Sequence, residues 1–151
     1  YAMTGWRMGY GILPEELVPH IVKLAVNSVS CAASFTQMAA VAALEGPKDE
    51  VEAMIAEFGI RRRLIADGLR SIPGVNCPEP EGAFYAFPSI KGTGLTSAEF
   101  EDRAMNQAGV ALLSGSAFGE FGEGYVRLSY ANSQDNIKQA IDKLDKMVRA
   151  I

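Results

Sequence analysis

The order of helix and strand patterns from residue 49 onward places the strongest constraint on the fold of this chain. Apolar residues recur at helical spacing from Asp49 to about Ile72, and Pro73-Gly74 ends this long amphipathic helix. Further strand and helix patterns follow along the chain, at residues 82–88, 96–107, 110–113, 125–130 and 134–148. An order of helix, strand, helix, strand, strand and helix predicts an α/β fold with helices over one face of a small sheet.

The first third of the chain has too few strand patterns to form a layer of this kind by itself. Residues 1–13 are predicted to form a loop followed by one short strand. Two helices follow, the second from residues 35–44 with Ser34 as its N-cap. We therefore expect residues 1–48 to be the end of a larger domain and residues 49–151 to form a small α/β domain.

Composition and charge exclude several functions. The net charge of −4 leaves no excess of basic residues to neutralise phosphodiesters, so we expect no nucleic-acid partner. No apolar run approaches the roughly 20 residues of a membrane helix, so we expect no membrane partner and a cytoplasmic location. Cys31, Cys77 and the single histidine, His20, lie far apart in the sequence. They form no metal-ligand pattern, and both cysteines are expected to be free thiols.

Arg7 is the first candidate binding residue. It ends the segment Tyr1-Ala2-Met3-Thr4-Gly5-Trp6-Arg7, and glycines at positions 5 and 9 let the backbone approach a ligand. A guanidinium is always charged, and its forked N–H donors match the oxygens of a phosphate or a carboxylate. From the residues alone, Arg7 could equally be a loop residue paired with a surface acid.

Arg127 is the second candidate. It lies in the strand pattern of residues 125–130, where Val126 and Leu128 alternate with Arg127 and Ser129. A single arginine on the polar face of a strand is commonly a solvated charge. The alternative is a ligand contact, because arginine binds a carboxylate through two parallel hydrogen bonds.

A polar loop at residues 27–37 contains the third candidate, Ser30. Its serines, threonine and small residues are also typical of a loop that caps the following helix.

Together these segments resemble the class I and II (fold-type I) aminotransferases that depend on pyridoxal phosphate, and the aspartate aminotransferase-like members in particular. Residues 1–7 match the stretch after the family's cofactor lysine, and residues 118–131 resemble its Phe-Gly … Gly-Glu-Gly-Tyr-x-Arg-Leu-Ser-Tyr-Ala segment. The resemblance implies that Arg7 binds the cofactor phosphate and that Arg127 binds the substrate α-carboxylate. It implies that Ser30 lies at a dimer interface and reaches the neighbouring subunit's cofactor phosphate.

The implied activity is transfer of an amino group between an amino acid and a 2-oxo acid by a homodimer that uses pyridoxal 5'-phosphate. In the family a lysine holds this cofactor as a Schiff base and shuttles the α-proton. The matching lysine would lie two residues before Tyr1, so we expect no catalytic residue in this chain and no transamination by it alone. Residues 1–48 would then be the C-terminal end of the family's large domain, which binds pyridoxal phosphate (PLP). Residues 49–151 would be the small C-terminal domain.

Three alternatives stay open. A non-catalytic aminotransferase-like effector domain of a transcriptional regulator would follow a winged-helix domain and would sense the cofactor without turnover. A PLP-dependent lyase of the same fold would release ammonia instead of transferring the amino group. A purely structural small domain would do neither.

Two expectations concern the surroundings of Arg127. The aromatic residues of segment 82–88 are expected to pack in the core and not against a ligand. Ser114 stands where many relatives have proline, and it is expected to relax a loop on the substrate side of the pocket. The identity of the amino-acid donor therefore stays open.

Overall fold

A computed structural model describes all residues, 1–151, and they form two compact units, Tyr1–Glu52 and Ala53–Ile151. The fold class is α/β, as predicted. The assignment of residues 1–48 and 49–151 to a large and a small domain stays a prediction. None of the helices combines the length and the apolar content that crossing a membrane requires.

The first unit is built on helices. Helix α1 spans Val18–Ser28 after a 3-10 turn at Glu15–Leu17, and helix α2 spans Ser34–Glu45. The strand predicted within residues 1–13 is wrong, because this segment contains only a 3-10 turn at Thr4–Trp6. No other strand lies in this unit, so an extended segment would find no ladder partner for its N–H and C=O groups.

The predicted N-cap of α2 is also wrong. Ser34 is the first residue of the helix, and the N-cap is Ala33, which has no capping side chain. The side chain of Gln37 reaches back instead, and its Nε2 donates a hydrogen bond to the carbonyl of Ala32 at 2.9 Å.

Three helices that lie wholly or mostly in the second unit follow the predicted periodicity. Helix α3 spans Asp49–Arg70, α4 spans Ser97–Arg103 and α5 spans Gln134–Arg149. Thr96 caps α4 in a capping box with Glu99, as the sequence indicates. The predicted continuation to residue 107 is a π-helical turn at Ala104–Ala108, which Gly109 ends with a positive φ of 64°.

The sheet has three antiparallel strands in the order β1-β3-β2, with β1 at Tyr85–Ala86, β2 at Leu113–Ser114 and β3 at Val126–Ser129. Tyr85 pairs with Ser129, and Leu113 pairs with Arg127. Strand β1 is shorter than residues 82–88. Ala83 has a left-handed backbone with φ of 58°, and Pro88 has no N–H to donate to a ladder.

The core of the second unit lies on one face of this sheet. Val126 and Leu128 of β3 are buried in it, 1% and 6% exposed, while Arg127 and Ser129 point to the opposite face. The same core takes in residues of all three helices, including Ile65 and Leu69 of α3, Phe100 of α4, and Ile137 and Leu144 of α5. Strand β3 therefore carries core residues and the candidate arginine in alternation.

Candidate active site

The Arg127 guanidinium contacts two aromatic rings. Its Cζ is 4.4 Å from the ring centroid of Tyr85 and 4.4 Å from that of Phe118. The strand register explains the first contact, because Tyr85 is directly opposite Ser129 and thus diagonal to Arg127 on the same face. Arg127 is half-buried and takes part in none of the salt bridges of the chain. Its charge is therefore free for a ligand.

Further aromatic residues hold the Phe118 ring. Phe118 meets Phe87 edge to face at 6.0 Å, and Phe87 stacks on Tyr125 at 5.7 Å with an interplanar angle of 10°. The prediction that the aromatic residues of segment 82–88 lie in the core is wrong. Tyr85 and Phe87 are 36% and 37% exposed, because odd and even positions of a strand face opposite sides and Ala86 takes the core position between them. Phe84, which precedes β1, is also 36% exposed.

Tyr130 fixes the start of β1 behind Tyr85. Its hydroxyl donates a hydrogen bond to the carbonyl of Ala83 at 2.9 Å, and the N–H of Tyr130 donates to the carbonyl of Phe84, also at 2.9 Å. Burial raises the pKa of the Tyr130 phenol, so the hydroxyl stays a donor. Ala83, the left-handed residue before β1, is thereby held by Tyr130, the residue that follows β3.

A buried hydroxyl fixes the loop that leads into β3. Ser97 is fully buried, and its Oγ accepts hydrogen bonds from the N–H of Gly124 at 2.8 Å and of Tyr125 at 3.2 Å. The Ser97 N–H donates to the carboxylate of Glu123 at 2.9 Å. The loop that leads into β3, and so to Arg127, is thus hydrogen-bonded to the N-terminus of α4.

The expectation that Ser114 relaxes a loop is wrong. Ser114 is a buried residue of β2, 5% exposed. Its N–H donates to the Glu101 carboxylate at 3.1 Å, and its hydroxyl and that of Ser116 share a 2.7 Å hydrogen bond. A proline has no N–H and could not make the bond to Glu101. Serine therefore ties β2 to α4 at this position.

A small recess opens beside Arg127. It has a volume of about 180 Å³ and is lined by Tyr85, Ala111, Leu112, Leu113, Arg127 and Ser129. Arginine is the only charged side chain in this lining, so the recess is suited to a small anionic group such as a carboxylate.

Arg7 and Ser30 lie together in the first unit. Both line an open concavity of about 1040 Å³, whose wall also includes Trp6, Phe35 and Thr36. The Trp6 and Phe35 rings contact each other at 6.2 Å. No lysine lines this concavity. The Arg7 guanidinium forms no salt bridge, so its donors face the cavity without a protein partner.

The backbone of both residues is in the left-handed region. Arg7 has φ of 52° and Ser30 has φ of 60°, and Ala2, with φ of 49°, lines the same concavity. The chain has four non-glycine residues with positive φ, and three of them are in this wall. Each such residue costs about 1–3 kcal/mol, and residues of this kind cluster at functional sites. The strain therefore supports a binding role for this wall.

The structure brings Arg7 and Ser30 to one concavity and surrounds Arg127 with residues of the second unit. Sequence reasoning did not predict Tyr85 and Phe118 as neighbours of Arg127. The register of β1 against β3 would have revealed Tyr85, but two-residue strands give too short a pattern to fix a register. Phe118 is the last residue of a 3-10 turn at Gly115–Phe118, and no periodicity predicts where such a turn directs a ring.

Comparison with known proteins gives a consistent result. A model of the family "Aminotransferase class I and II" matches residues 1–144. The chain is 39% identical over 148 residues to an aspartate aminotransferase of Pyrococcus horikoshii. The aligned region covers 97% of this chain and 38% of that protein. The chain is 42% identical over 148 residues to a probable N-acetyl-LL-diaminopimelate aminotransferase of Bacillus subtilis, with 98% and 37% covered.

A solved structure gives the same result for the fold. The crystal structure of an aromatic aminotransferase from Pyrococcus horikoshii matches with a TM-score of 0.91 and 38% identity, over 99% of this chain and 40% of that one. The chain thus spans about two fifths of the length of the relatives it matches. The family match over residues 1–144 and these relatives show that the chain belongs to the class I and II aminotransferases.

Proposed function

We propose that this chain contributes the phosphate-binding and substrate-carboxylate-binding arginines of a pyridoxal 5'-phosphate-dependent aminotransferase. The reaction is the transfer of an amino group between an amino acid and a 2-oxo acid. Two observations support it: the strained pair Arg7 and Ser30 on one concavity, and the unpaired Arg127 guanidinium beside a small recess.

The residues of the concavity fit the phosphate group of pyridoxal phosphate. Arg7 supplies forked, charged N–H donors, and Ser30 supplies a hydroxyl that makes no hydrogen bond within the chain. When bound, the cofactor supplies the carbonyl carbon that accepts the amino group and the ring that takes up the electron pair of the broken Cα–H bond. The resemblance implied that Ser30 reaches the cofactor phosphate of the neighbouring subunit. Because Ser30 lines the same concavity as Arg7, we propose instead that both residues bind one phosphate and so fix the position of the ring.

Arg127 has a different task. A bidentate contact with the α-carboxylate fixes the rotation of the substrate about its α-carbon, and this orientation determines which bond to the α-carbon is presented for cleavage. A lysine at this position keeps the charge and loses the fork, so Arg127→Lys should raise KM and lower kcat/KM by about tenfold or more.

Binding measurements on the chain test the phosphate role. Calorimetric titration with pyridoxal phosphate and with pyridoxal, which lacks the phosphate, should show clearly tighter binding of the phosphorylated form. A charge-assisted hydrogen bond is worth about 1.5–3 kcal/mol, so Arg7→Gln should weaken pyridoxal phosphate binding by about 10-fold or more and leave pyridoxal unchanged. Arg63→Gln, which removes an exposed arginine of α3, is the matched control. Equal binding of the two ligands by the unmodified chain would refute the phosphate assignment.

Product analysis distinguishes the reaction from its alternative. An enzyme that contains residues 1–151 within the family's full-length fold should convert a 2-oxo acid to the corresponding amino acid in the presence of an amino-acid donor. A lyase would instead release ammonia from the donor alone. An effector domain that senses the cofactor without turnover would produce neither the new amino acid nor ammonia.

We also propose a homodimer. Several apolar side chains of the first unit are largely exposed, among them Leu24 at 65%, Phe35 at 69% and Met38 at 68%. Exposed apolar groups of this kind are typical of protein interfaces. Sedimentation equilibrium should show a dimer that Phe35→Glu and Met38→Glu dissociate. The same substitution at Phe121 in the second unit, which is 90% exposed, is the control. A monomer at all concentrations would contradict the proposal.

A further inference from the structure

Two aromatic rings contact the guanidinium of Arg127. A guanidinium is planar, and the Tyr85 and Phe118 rings each lie 4.4 Å from its central carbon. Aromatic rings at this distance attract the cation through their electron-rich faces. The N–H donors lie at the edge of the guanidinium plane, and a ligand that takes up two of them approaches along this edge.

No acid of the chain competes for that edge. The salt bridges of the second unit involve Arg61, Arg62, Arg70, Lys138 and Arg149, and Arg127 is not among them. On β2, the residue paired with Arg127 is Leu113, which offers no side-chain acceptor. The side chain is therefore held by ring contacts, which leave its hydrogen-bond donors unused.

The rings themselves are supported from behind. Phe84 lies 4.5 Å from the Tyr85 ring, and Phe87 lies 6.0 Å from the Phe118 ring. Both supporting residues flank β1, one on each side. The two sides of the contact are thus fixed by one short stretch of chain, and a long, flexible arginine is restricted to few rotamers before any ligand arrives.

We propose that Tyr85 and Phe118 are positioning residues for the carboxylate-binding arginine. They hold the Arg127 guanidinium in one plane, so that a substrate carboxylate meets it edge-on through two parallel hydrogen bonds. This inference rests on the proposed role of Arg127, and it adds that the rings determine how tightly the carboxylate binds. Neither ring needs to touch the reacting atoms.

Nuclear magnetic resonance of the Arg127 Nε–H group in the 151-residue chain tests the proposal. In the unmodified chain the ring currents should shift this proton upfield, and titration with 2-oxoglutarate should move its signal. In Phe118→Leu and Tyr85→Leu the upfield shift should shrink, and 2-oxoglutarate should bind about fivefold more weakly in each. Phe118→Tyr and Tyr85→Phe keep the rings and should restore both the shift and the affinity.

Phe121→Leu is the matched control, because it removes an exposed aromatic ring from the next turn without touching Arg127. Tyr85 and Phe118 are 36% and 50% exposed, so their truncation leaves the core intact, and amide spectra check this. Unchanged affinity in both leucine variants would overturn the positioning role and leave the proposed function standing. If 2-oxoglutarate does not move the Arg127 signal in the unmodified chain, the carboxylate-binding role of Arg127 fails instead.

Discussion

Replacing Ser97 with alanine should destabilise the second unit through a single lost hydroxyl. Ser97 is fully buried, and its Oγ is the acceptor for the N–H of Gly124 at 2.8 Å. That N–H has no other acceptor in the chain, whereas the N–H of Tyr125 also reaches the carbonyl of Gly122 at 3.1 Å. The substitution therefore leaves one buried donor without a partner and weakens a second one. It also removes the long 3.4 Å bond that the Ser97 hydroxyl donates to the carbonyl of Gly122, which keeps the Tyr125 N–H as a donor.

The expected cost follows from this count. A buried donor without a partner costs about 1–3 kcal/mol, and the shared Tyr125 bond adds little, so Ser97→Ala should lower the free energy of unfolding by about 2 kcal/mol. For a chain of this length that corresponds to a fall in Tm of about 4–8 °C. The substitution should lower local stability around Gly124 and Tyr125 as well as the free energy of global unfolding. These two residues begin the segment that carries Arg127.

Urea unfolding followed by circular dichroism measures the global effect. The fluorescence of the single tryptophan is less suitable, because Trp6 belongs to the first unit. Hydrogen exchange of the Gly124 amide measures the local effect and should become faster. Ser71→Ala is the control, since its hydroxyl donates to the carbonyl of Gly68 on the exposed surface, and it should change stability by less than about 0.5 kcal/mol. A Ser97→Ala variant as stable as this control would refute the reasoning.

Three further outcomes are expected. The backbone and hydroxyl hydrogen bonds of Thr96 lower the pKa of Glu99, so this carboxylate contributes stability above its unfolded pKa, and the contribution is lost as the pH falls through the folded pKa. In a carbon-13 titration, Thr96→Ala should move that pKa part of the way back towards its ordinary value, and an unchanged value would contradict the assignment. Gly59→Ala adds a Cβ in open space within α3 and should stabilise the chain by about 0.5–1 kcal/mol in thermal unfolding, whereas a lower Tm would contradict this. Burial raises the pKa of the Cys77 thiol, so a thiol reagent should modify exposed Cys31 quickly and Cys77 only in denaturant; equal rates would argue against the buried position.

The helices of the second unit were predictable because several local signals agree. The apolar period of α3 and α5 is long, and Thr96 and Ser133 are N-cap residues whose hydroxyls accept the expected backbone N–H groups. The strand pattern of residues 125–130 likewise placed Val126 and Leu128 in the core and Arg127 outside it. These features depend on a few neighbouring residues, which a sequence displays directly.

The features that were missed depend on contacts between distant segments. Whether a segment such as residues 1–13 is a strand depends on a partner strand, and the hydrogen bond of the buried Ser114 N–H depends on Glu101, which lies on α4. Tyr85 and Phe87 lie outside the core because Ala86, between them, occupies the position inside it. For the candidate site, the motifs indicated Arg7, Ser30 and Arg127. The local sequence pattern does not indicate that the rings of Tyr85 and Phe118 contact Arg127.

The alternation along β3 couples folding to recognition. Val126 and Leu128 are buried on one face, and Arg127 lies between them in the sequence on the other. A slip of β3 by a single residue against β1 and β2 would drive Arg127 into the apolar core and expose both aliphatic side chains. Such a slip would bury an uncompensated charge, so the alternative register is strongly disfavoured. Arg127, the candidate carboxylate-binding residue, thus also helps to determine the register of β3. A chain in which β3 is out of register would lose both its stability and its recognition site.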